Sequence, residues 1–401
     1  MEPRDQTDLR RANLALVLTA LRTRGPHSRA GLARLTGLNK ATTSSLVTEL
    51  GHRGLVRLGD PAPGQFGRPG ALVELDPGRV CAIGLEANVD YAAVAVLDLA
   101  GDLLRHHRVA CDLVALGPTG ALDVLAKLAA REIAEAEARG RWVAGVGVAV
   151  PGLIDVADGV VKLAPNLGWR DVPVAAELTE RIGVTPGVDN DANFSAVAEH
   201  AVSGTSELLY LTGEIGVGGG VISGGSLLRG ATGFTGEVGH MPLDPAGQRC
   251  GCGRVGCWET SVGLGALLRA VGDADDPVRD AALDLESRLE VIRERAASGD
   301  ERTLAALRGI GTALGVGASI LINVLNPAAV VLGGYFAVLG QWLLDPARDE
   351  ISARVLAPDS GGCELVLSDL GFTAAVRGGA HAALAEVFAD PTVVPENRNT
   401  S

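Results

Sequence analysis

GEVGHMPLDPAGQRCGCGRVGCWE is the stretch from Gly236 to Glu259, and it holds three of the chain's six cysteines. Cys250, Cys252 and Cys257 lie within eight residues, and His240 comes ten residues before the first of them. Three thiolates and one imidazole are a ligand set for a closed tetrahedral Zn2+ site. Three buried, inert cysteines in a glycine-rich loop are the alternative. Such clusters in a reduced compartment more often bind metal, so the sequence favours structural zinc.

The composition is typical of a soluble α/β protein with many tight turns. The chain has 401 residues, of which 47% are hydrophobic and 54 are glycines. It contains no run of about 20 apolar residues, which a membrane-spanning helix needs. Its first residues lack the apolar segment of a signal peptide. We therefore expect a cytoplasmic protein without a membrane span, long enough for two or three domains.

The charge is distributed unevenly along the chain. Residues 1–79 carry twelve Lys/Arg and seven Asp/Glu, a net charge of +5, whereas the whole chain has a net charge of −13. A basic head on an acidic body indicates that only the head binds a polyanion. Chance surface composition is the alternative, and charge alone does not exclude it.

The first 54 residues contain three helical segments separated by residues that end or begin helices. Apolar residues recur at helical spacing in the first segment, which stops at Gly25. Ser28 is a candidate N-cap for a second short helix that ends at Gly37. Asn39 is a candidate N-cap for a third helix that ends at Gly54. The positions that fit the apolar pattern of a helix-turn-helix are Leu32, Ala33, Gly37, Leu38 and Leu46.

The third segment is the predicted recognition helix. Its exposed residues are short and polar, and such side chains reach phosphates and base edges in a major groove. Two apolar strands follow, and the Gly/Pro-rich loop between them predicts a wing that contacts the minor groove or the DNA backbone. A small helical packing domain with an ordinary hairpin is the alternative. The predicted DNA-binding residues are Asn39, Lys40, Thr42, Ser44, Ser45 and, in the wing, Arg68.

From Val80 onwards, apolar strands alternate with helices. Residues 80–104 predict a hairpin, residues 117–140 predict an amphipathic helix, and residues 142–152 predict a buried strand. This alternation indicates an α/β domain with a mixed sheet. The last residues, 391–401, are polar, and we expect them to be disordered.

Three polar groups in the body are candidates for chemistry. Asn190 and Asp191 begin a predicted helix and could bind vicinal hydroxyls, and Asp191 could also accept a proton. A helix cap is the alternative for both residues. The glycines of Glu214–Gly220 could cradle phosphate, although a tight hairpin fits them equally. The third group flanks the cysteines, beside the predicted metal, and consists of Glu237, His240 and Glu259.

Taken together, these motifs resemble those of the ROK family (repressors, open reading frames and sugar kinases), in its transcription-regulator branch. The resemblance covers nearly the whole chain and implies an actin-like, sugar-kinase-like fold of two α/β lobes around a cleft. The most specific motifs are GEVGH at 236–240 and CGCGRVGCWE at 250–259. The weaker ones are GRPG at 67–70, VPG at 150–152, PNLGW at 165–169, NDAN at 190–193 and VLGG at 331–334. The implied domains are a winged helix-turn-helix at 1–78 and a ROK domain at 79–390, with the zinc site at 240–257 and a disordered tail at 391–401.

The resemblance also implies roles for individual residues. The family's structural zinc ligands correspond to His240, Cys250, Cys252 and Cys257. Its sugar-binding positions correspond to Asn190, Asp191, Glu237, His240 and Glu259. In the kinase members, the position of Asp191 is also the catalytic base.

The chain departs from the family on the side that binds ATP in the kinases. Their DxGGT phosphate loop is replaced by Glu86-Ala87-Asn88-Val89-Asp90, and Glu214-Ile215 stands where they carry Gly-Thr. Bulky residues block close approach of the backbone to phosphate, and added carboxylates repel it. We therefore expect no phosphoryl transfer, so that Asp191 is a sugar ligand and not a working base.

The leading hypothesis is a transcriptional repressor of sugar-metabolism genes that binds operator DNA as a homodimer or homotetramer and responds to a sugar or sugar derivative. One alternative is an ATP-dependent sugar kinase that carries a DNA-binding head. Another is a DNA-bound regulator that no longer binds sugar and responds to a protein partner. A helix-turn-helix protein that binds a palindrome needs at least a dimer.

Overall fold

The computed structural model describes residues 6–61, 71–280 and 283–397 of the chain. The described part of the N-terminal head consists of three helices and a small antiparallel sheet, with strand order β1-β3-β2. The helices are α1 (Gln6–Arg24), α2 (Arg29–Thr36) and α3 (Lys40–His52). The strands are β1 (His27–Ser28), β2 (Val56–Pro61) and β3 (Ala71–Leu75).

The turns of the head form as the sequence predicts. Ser28 Oγ accepts a hydrogen bond of 3.1 Å from the backbone N–H of Gly31 and begins α2. Gly37 ends α2 with a φ of 72°, a conformation that glycine adopts without strain. Asn39 Oδ1 accepts from the N–H of Thr42 at 2.8 Å and begins α3. The head is therefore a winged helix-turn-helix; the tip of its wing, including Arg68, lies outside the described residues.

Lobe 1 is built on a mixed sheet with the strand order β11-β7-β4-β5-β6 in its described part. The strands are β4 (Val80–Ala87), β5 (Tyr91–Asp98), β6 (Leu103–Ala110), β7 (Trp142–Val150) and β11 (Gly187–Asn190). β4 is buried on both faces, which explains its continuous apolar sequence. A second, smaller sheet contains β8 (Leu153–Asp155), β9 (Val160–Ala164) and β10 (Trp169–Val172), and the helices of this lobe are α4 (Leu113–Ala138) and α5 (Val174–Ile182).

Lobe 2 has its own mixed sheet, with the order β14-β13-β12-β15-β16 among the described residues. The strands are β12 (Leu208–Gly213), β13 (Val217–Ser223), β14 (Ser226–Leu227), β15 (Ala329–Gly334) and β16 (Glu364–Leu367). The helices are α7 (Glu259–Val262), α8 (Leu264–Val271), α9 (Leu285–Ala297), α10 (Glu301–Leu325), α11 (Tyr335–Val338) and α12 (Gly340–Arg354). Short 3-10 turns lie at Val238–His240, Pro277–Arg279, Pro358–Gly362, Gly371–Thr373 and Pro391–Val393.

Two helices, α6 (Asp191–Ser203) and α13 (Ala374–Ala389), join the lobes. α6 packs on β12 and β13 of lobe 2, α13 packs on β4 and β7 of lobe 1, and the two helices pack against each other. Their contact is very close, because a Cβ on Gly378 would lie 1.8 Å from the carbonyl oxygen of Phe194. The start of α6 is thus held at the junction of the lobes, where the cleft between them begins.

The C-terminal segment corrects one expectation. Residues 391–397 are ordered in the structure, whereas the sequence predicts disorder from 391 onwards; residues 398–401 lie outside the described part. Val394 is fully buried in the hydrophobic core of the head, and its carbonyl oxygen accepts a hydrogen bond of 2.6 Å from Arg53. The N–H of Asn397 donates to the carbonyl of His52 at 2.7 Å. These contacts join the end of the chain to the end of α3.

Two helices, α4 and α10, are long and apolar enough to cross a membrane by length and composition alone. Both are packed into hydrophobic cores: α4 against β4 and β5, and α10 against α8 and α12. α4 is also kinked at Gly117, which has non-helical backbone angles just before Pro118. Their packing identifies both as core helices of the two lobes.

Candidate functional site

The four predicted metal ligands come together in one cluster. Their ligand atoms all lie within 4.8 Å of one another: the imidazole of His240 and the sulfurs of Cys250, Cys252 and Cys257. The Cys252 and Cys257 sulfurs are 3.7 Å apart, and His240 Nδ1 lies 3.8 Å from Cys250 Sγ. Such spacings fit four donors around a single ion, because Zn–S bonds are about 2.3 Å long. One imidazole and three thiol groups are also the chemistry of a structural zinc site.

The loop that carries the cysteines is folded by backbone contacts. The N–H of Cys250 donates to the carbonyl of Arg254 at 2.8 Å, and Pro242 and Cys257 form an isolated β-bridge. Gly256 is essential to this path, since its φ is 74° and a Cβ there would lie 1.6 Å from the carbonyl oxygen of Asp244. The glycine therefore brings Cys257 back towards the other two sulfurs.

The five predicted sugar-binding residues line a single cleft between the lobes. Asn190 and Asp191 reach it from the end of β11 and the start of α6, in a corner that lobe 1 supports. The three others, Glu237, His240 and Glu259, reach it from lobe 2, beside the cysteine loop. We call these five residues the sugar end of the cleft. The structure thus brings together side chains that lie up to 69 positions apart in sequence.

Asn190 is a helix cap as well as a cleft residue. Its Oδ1 accepts from the N–H groups of Ala192 and Asn193, so the capping alternative describes a real contact. Its Nδ2 donates to the carbonyl of Gly152 at 3.1 Å, which fixes the direction of the amide. Burial raises the pKa of Asp191, while the N–H of Ala192 favours its charged form. Asp191 is thus a buried carboxylate at the cleft whose Oδ1 is anchored by the backbone at the start of α6.

The other carboxylates of the sugar end are tied to the metal cluster. Glu259 Oε1 lies 3.3 Å from Cys250 Sγ, and Glu259 Oε2 accepts from the N–H of Val217 at 3.1 Å. Glu237 Oε2 lies 3.8 Å from His240 Nε2, on the ring edge opposite the nitrogen that faces the sulfurs. Burial raises the pKa of Glu237, and the nearby His240 opposes that shift. The positions of both carboxylates therefore depend on the order of the cysteine loop.

The first hairpin of lobe 1 and the β12–β13 turn of lobe 2 carry a second set of polar side chains. Asn88 Nδ2 donates to Glu214 Oε2 at 2.8 Å and lies 3.0 Å from the hydroxyl oxygen of Tyr91. The Tyr91 hydroxyl in turn donates to Glu86 Oε1 at 2.6 Å. We call these four residues the polar network. Sequence reasoning identified Glu86, Asn88 and Glu214 as replacements but missed the bonds among them, because the partners are 126 positions apart and no local pattern pairs them.

The glycine run after Glu214 forms the hairpin that was one of its two interpretations. The N–H of Glu214 donates to the carbonyl of Gly216, and β12 and β13 pair antiparallel on either side. Gly220 faces α6 so closely that a Cβ would lie 2.5 Å from the carbonyl oxygen of Ala192. Close packing of the strand on the helix explains this glycine. Asp90, in the first hairpin, is exposed.

Arg229 and Asp189 form an ion pair between the lobes that the sequence does not signal. Asp189 is buried, its Oδ2 pairs with the guanidinium of Arg229, and its Oδ1 accepts from Asn193 Nδ2 at 3.0 Å. Asp189 therefore holds the turn between β11 and α6 in place, next to Asn190.

On the head, the predicted DNA-binding residues lie at the start of α3. Asn39, Lys40 and Ser45 are exposed, whereas Thr42 and Ser44 are partly buried. Asn39 also caps the helix, and Ser45 Oγ is 3.5 Å from Arg10 on α1. Thr43, between them, points into the head core and is fully buried. The structure therefore gives the N-terminal turns of α3 one polar, accessible face.

Comparison with known proteins identifies relatives over most of the chain. The ROK family matches residues 82–386. The xylose repressor of Bacillus spizizenii is 32% identical over 383 residues, 94% of this chain and 96% of that protein. The N-acetylglucosamine repressor of Escherichia coli O6:H1 is 26% identical, with 92% and 91% covered. The crystal structure of a ROK family transcriptional regulator, a homologue of the E. coli MLC protein, shares the fold with a TM-score of 0.76 and 22% identity, covering 95% of this chain and 97% of that one. The chain therefore belongs to the ROK family, as a transcriptional regulator with a winged helix-turn-helix head.

Proposed function

We propose that this protein is a repressor of sugar-metabolism genes that binds operator DNA through its head and a sugar at the sugar end of the cleft. The observation that carries the proposal is the convergence of Asn190 and Asp191 with Glu237, His240 and Glu259 in one cleft. Amide and carboxylate oxygens at close spacing suit adjacent hydroxyl groups, because each hydroxyl can donate one hydrogen bond and accept another. The relatives named as xylose and N-acetylglucosamine repressors support the choice of a sugar.

For DNA binding, the proposal assigns the accessible face of α3 to the major groove. Lys40 would contact a phosphate, and the short side chains of Asn39, Thr42, Ser44 and Ser45 would lie against base edges or the backbone. Arg68 in the wing is assigned to the backbone or minor groove. Two heads on one palindrome require at least a homodimer, and a homotetramer satisfies the same requirement. A protein acting on chromosomal DNA in this way works in the cytoplasm.

For the metal, the donor set of His240 and the three cysteines fits zinc. When bound, zinc would supply a closed structural cross-link for the loop at 240–257. His240 would use Nδ1 for the metal while its Nε2 edge faces Glu237 and the cleft. Glu259 would be oriented by its contact with Cys250, as side chains beside metal ligands commonly are. We assign to this arrangement the role of holding in place the two protein carboxylates that would bind the sugar, those of Glu237 and Glu259.

Coupling between sugar and DNA follows from the junction of the lobes. A sugar held by side chains of both lobes favours the closed cleft over the open one. α13 contacts α6 at the start of the sugar end and also contacts α1 of the head. Closure would therefore shift the two heads of a dimer relative to each other and change their fit to the operator.

Phosphoryl transfer is not part of the proposed function. The hairpin that holds phosphate in the family's kinases here carries Asn88 and Val89, and Glu214 adds a carboxylate to the cleft. Nucleotide phosphates would meet negative charge where catalysis needs donors and cations. A sugar kinase with a DNA-binding head is the second candidate, favoured only by the retention of Asp191.

The proposal is tested with operator DNA selected from a random library by the full-length, zinc-loaded protein. Fluorescence anisotropy would measure DNA affinity during titration with D-xylose, N-acetylglucosamine and D-glucose. We expect at least one sugar to change the affinity for DNA fivefold or more, at about 1 kcal/mol or more of coupling. If adding a protein fraction changes the affinity for DNA but no sugar of a broad panel does, the result would favour the alternative of a regulator that responds to a protein partner.

A further inference from the structure

We propose that Asn88 of lobe 1 and Glu214 of lobe 2 form a latch that holds the cleft closed without a nucleotide. The latch is the hydrogen bond between these two side chains, 2.8 Å from Nδ2 to Oε2. The inference rests on the proposed function, because it assigns the closed cleft to the sugar-bound form. It adds to that function a specific mechanism: two residues at the positions of the kinases' phosphate loops regulate closure of the cleft.

The two partners belong to separate sheets. Asn88 follows β4 in the first hairpin of lobe 1, and Glu214 follows β12 at the hairpin turn of lobe 2. Both line the cleft, together with Asp191. If the lobes separate, this hydrogen bond must break and both groups must be hydrated. The bond therefore exists only in the closed arrangement and favours it.

Asn88 is held in the geometry that the latch requires. It is 7% exposed, its Oδ1 accepts from the N–H of Val89, and its own N–H donates to the carbonyl of Tyr91. The Tyr91 hydroxyl, which lies 3.0 Å from Asn88 Nδ2, is itself anchored by Glu86. The guanidinium of Arg108 stacks on the Tyr91 ring at 3.7 Å. Because the donor is already oriented, little side-chain freedom is lost when the latch closes.

Burial, followed by the charge of Asp191, raises the pKa of Glu214 to about 7, so above that pH Glu214 supplies a charged acceptor, which makes the hydrogen bond stronger than a neutral pair. Its backbone is fixed by the short turn to Gly216, and its side chain is only partly buried. The Arg229–Asp189 ion pair also joins the lobes, but it lies at the β11–α6 turn, next to the sugar end. The latch lies where the family's kinases carry their phosphate loops. It can therefore hold the lobes together without any contribution from the five residues of the sugar end.

A change in the closed population alters sugar affinity even at residues that do not touch the sugar. The apparent dissociation constant equals the intrinsic one divided by the fraction of protein in the competent state. Breaking a hydrogen bond to a charged group lowers the closed-to-open ratio by roughly tenfold to a hundredfold; a ratio that falls from about 10:1 to about 1:10 lowers the closed fraction by about tenfold. We therefore expect a similar weakening of sugar affinity when the latch is broken.

The test uses a donor–acceptor swap in the full-length, zinc-loaded protein at about pH 8.5. Asn88→Asp places a carboxylate against Glu214, so the two groups repel and the lobes open. Glu214→Gln keeps an acceptor for Asn88 and serves as the matched control. The double variant Asn88→Asp/Glu214→Gln restores a bond in the reverse direction, from the new amide to the new carboxylate.

Two readouts separate the latch from the sugar function. Small-angle X-ray scattering of the sugar-free protein should give a larger radius of gyration for Asn88→Asp only, with the double variant back at the wild-type value. Calorimetry with D-xylose, or with whichever sugar of the panel the wild type binds, should show about tenfold weaker binding for Asn88→Asp and recovery in the double variant. Circular dichroism confirms that each variant is folded.

The latch is refuted if Asn88→Asp scatters like the wild type, or if the double variant stays as open as the single one. If the wild type binds no sugar, the proposed function fails, and the scattering measurements still decide the latch. If sugar binds the wild type but Asn88→Asp binds it equally well, the latch fails and the proposed function stands.

Discussion

The two ends of the cleft use polar side chains in opposite ways. At the sugar end, Asp191 and Glu237 line the cleft; Asp191 Oδ1 accepts from the N–H of Ala192, and Glu237 Oε2 lies 3.8 Å from His240 Nε2. In the polar network, Asn88, Tyr91 and Glu214 bond mainly to one another. Within the network, Glu86 Oε2 is buried without a hydrogen-bond partner among the described residues, while Asn88, Tyr91, Glu86 Oε1 and Glu214 Oε2 are bonded to one another. The side chains of the sugar end thus line the open cleft, whereas Asn88 and Glu214 of the polar network bond to each other from opposite lobes.

The largest expected effect comes from removing a metal ligand. Cys257→Ser should abolish zinc binding and sugar binding together, because the loop that positions Glu237 and Glu259 loses its cross-link. Zinc content by mass spectrometry and the thermal unfolding midpoint measure the two consequences. Cys363→Ser, which replaces a partly buried cysteine outside the metal cluster, is the matched control. Unchanged sugar affinity in zinc-free Cys257→Ser would show that the sugar end does not depend on the metal.

A smaller effect is expected at the sugar end itself. Asp191→Asn should weaken sugar binding by about a hundredfold, since a charged hydrogen bond of roughly 1.5–3 kcal/mol is lost and an amide group is added where an acceptor is required. Calorimetry measures the change, and Asp158→Asn, at an exposed position outside the cleft, controls for the loss of a charge. If Asp191→Asn binds the sugar as tightly as the wild type does, the sugar does not bind at the start of α6.

The polar network should make the stability of the protein depend on pH. Burial, followed by the charge of Glu214, raises the pKa of Glu86 well above its ordinary value of 4.5. Between the unfolded and the folded pKa the native protein binds more protons, so its stability falls as pH rises through that window. Glu86→Gln does not titrate there. From about pH 5 to about pH 8 we expect the wild type to lose more than about 1 kcal/mol of unfolding free energy relative to Glu86→Gln.

Urea unfolding of both proteins across this pH range measures the difference. Glu132→Gln, at a buried carboxylate on α4 paired with Arg105, is the control. Parallel pH profiles for the wild type and Glu86→Gln would mean that Glu86 is hydrated in the folded protein, and the contrast between the two ends would weaken.

The smallest effect is expected on the head. Lys40→Ala should lower DNA affinity to a similar extent for all sequences and reduce the slope of log affinity against log salt by about 1. Lys127→Ala, an exposed lysine on α4, should leave the slope unchanged. Anisotropy at several salt concentrations measures both. An unchanged slope in Lys40→Ala would show that Lys40 does not contact a phosphate.

Features encoded within short stretches could be predicted from the sequence. Ser28, Gly37 and Asn39 mark the helix ends of the head because caps depend on neighbouring residues only. The cysteine loop is equally local, since its ligands span 18 residues. The hairpin after β4 and the one after β12 also follow from adjacent strands and turns.

Contacts between distant segments could not be predicted in the same way. The bond from Asn88 to Glu214 and the ion pair from Arg229 to Asp189 depend on how two lobes meet. The C-terminal residues look disordered by composition, yet Val394 fills a gap in the core of the head. Local polarity does not indicate a packing partner hundreds of positions away; here the turn at Pro391–Val393 packs against both α13 and α1 of the head.

The contrast between the two ends is tested most directly by titrating the protein with sugar in the presence and absence of Mg-ATP, while heat and ADP formation are followed in the same sample. We expect saturable binding of a sugar with a dissociation constant that ATP does not change, and no sugar-dependent ADP. Sugar-dependent ADP formation at about 1 turnover per second or faster, the range of working kinases, would contradict the loss of the nucleotide end.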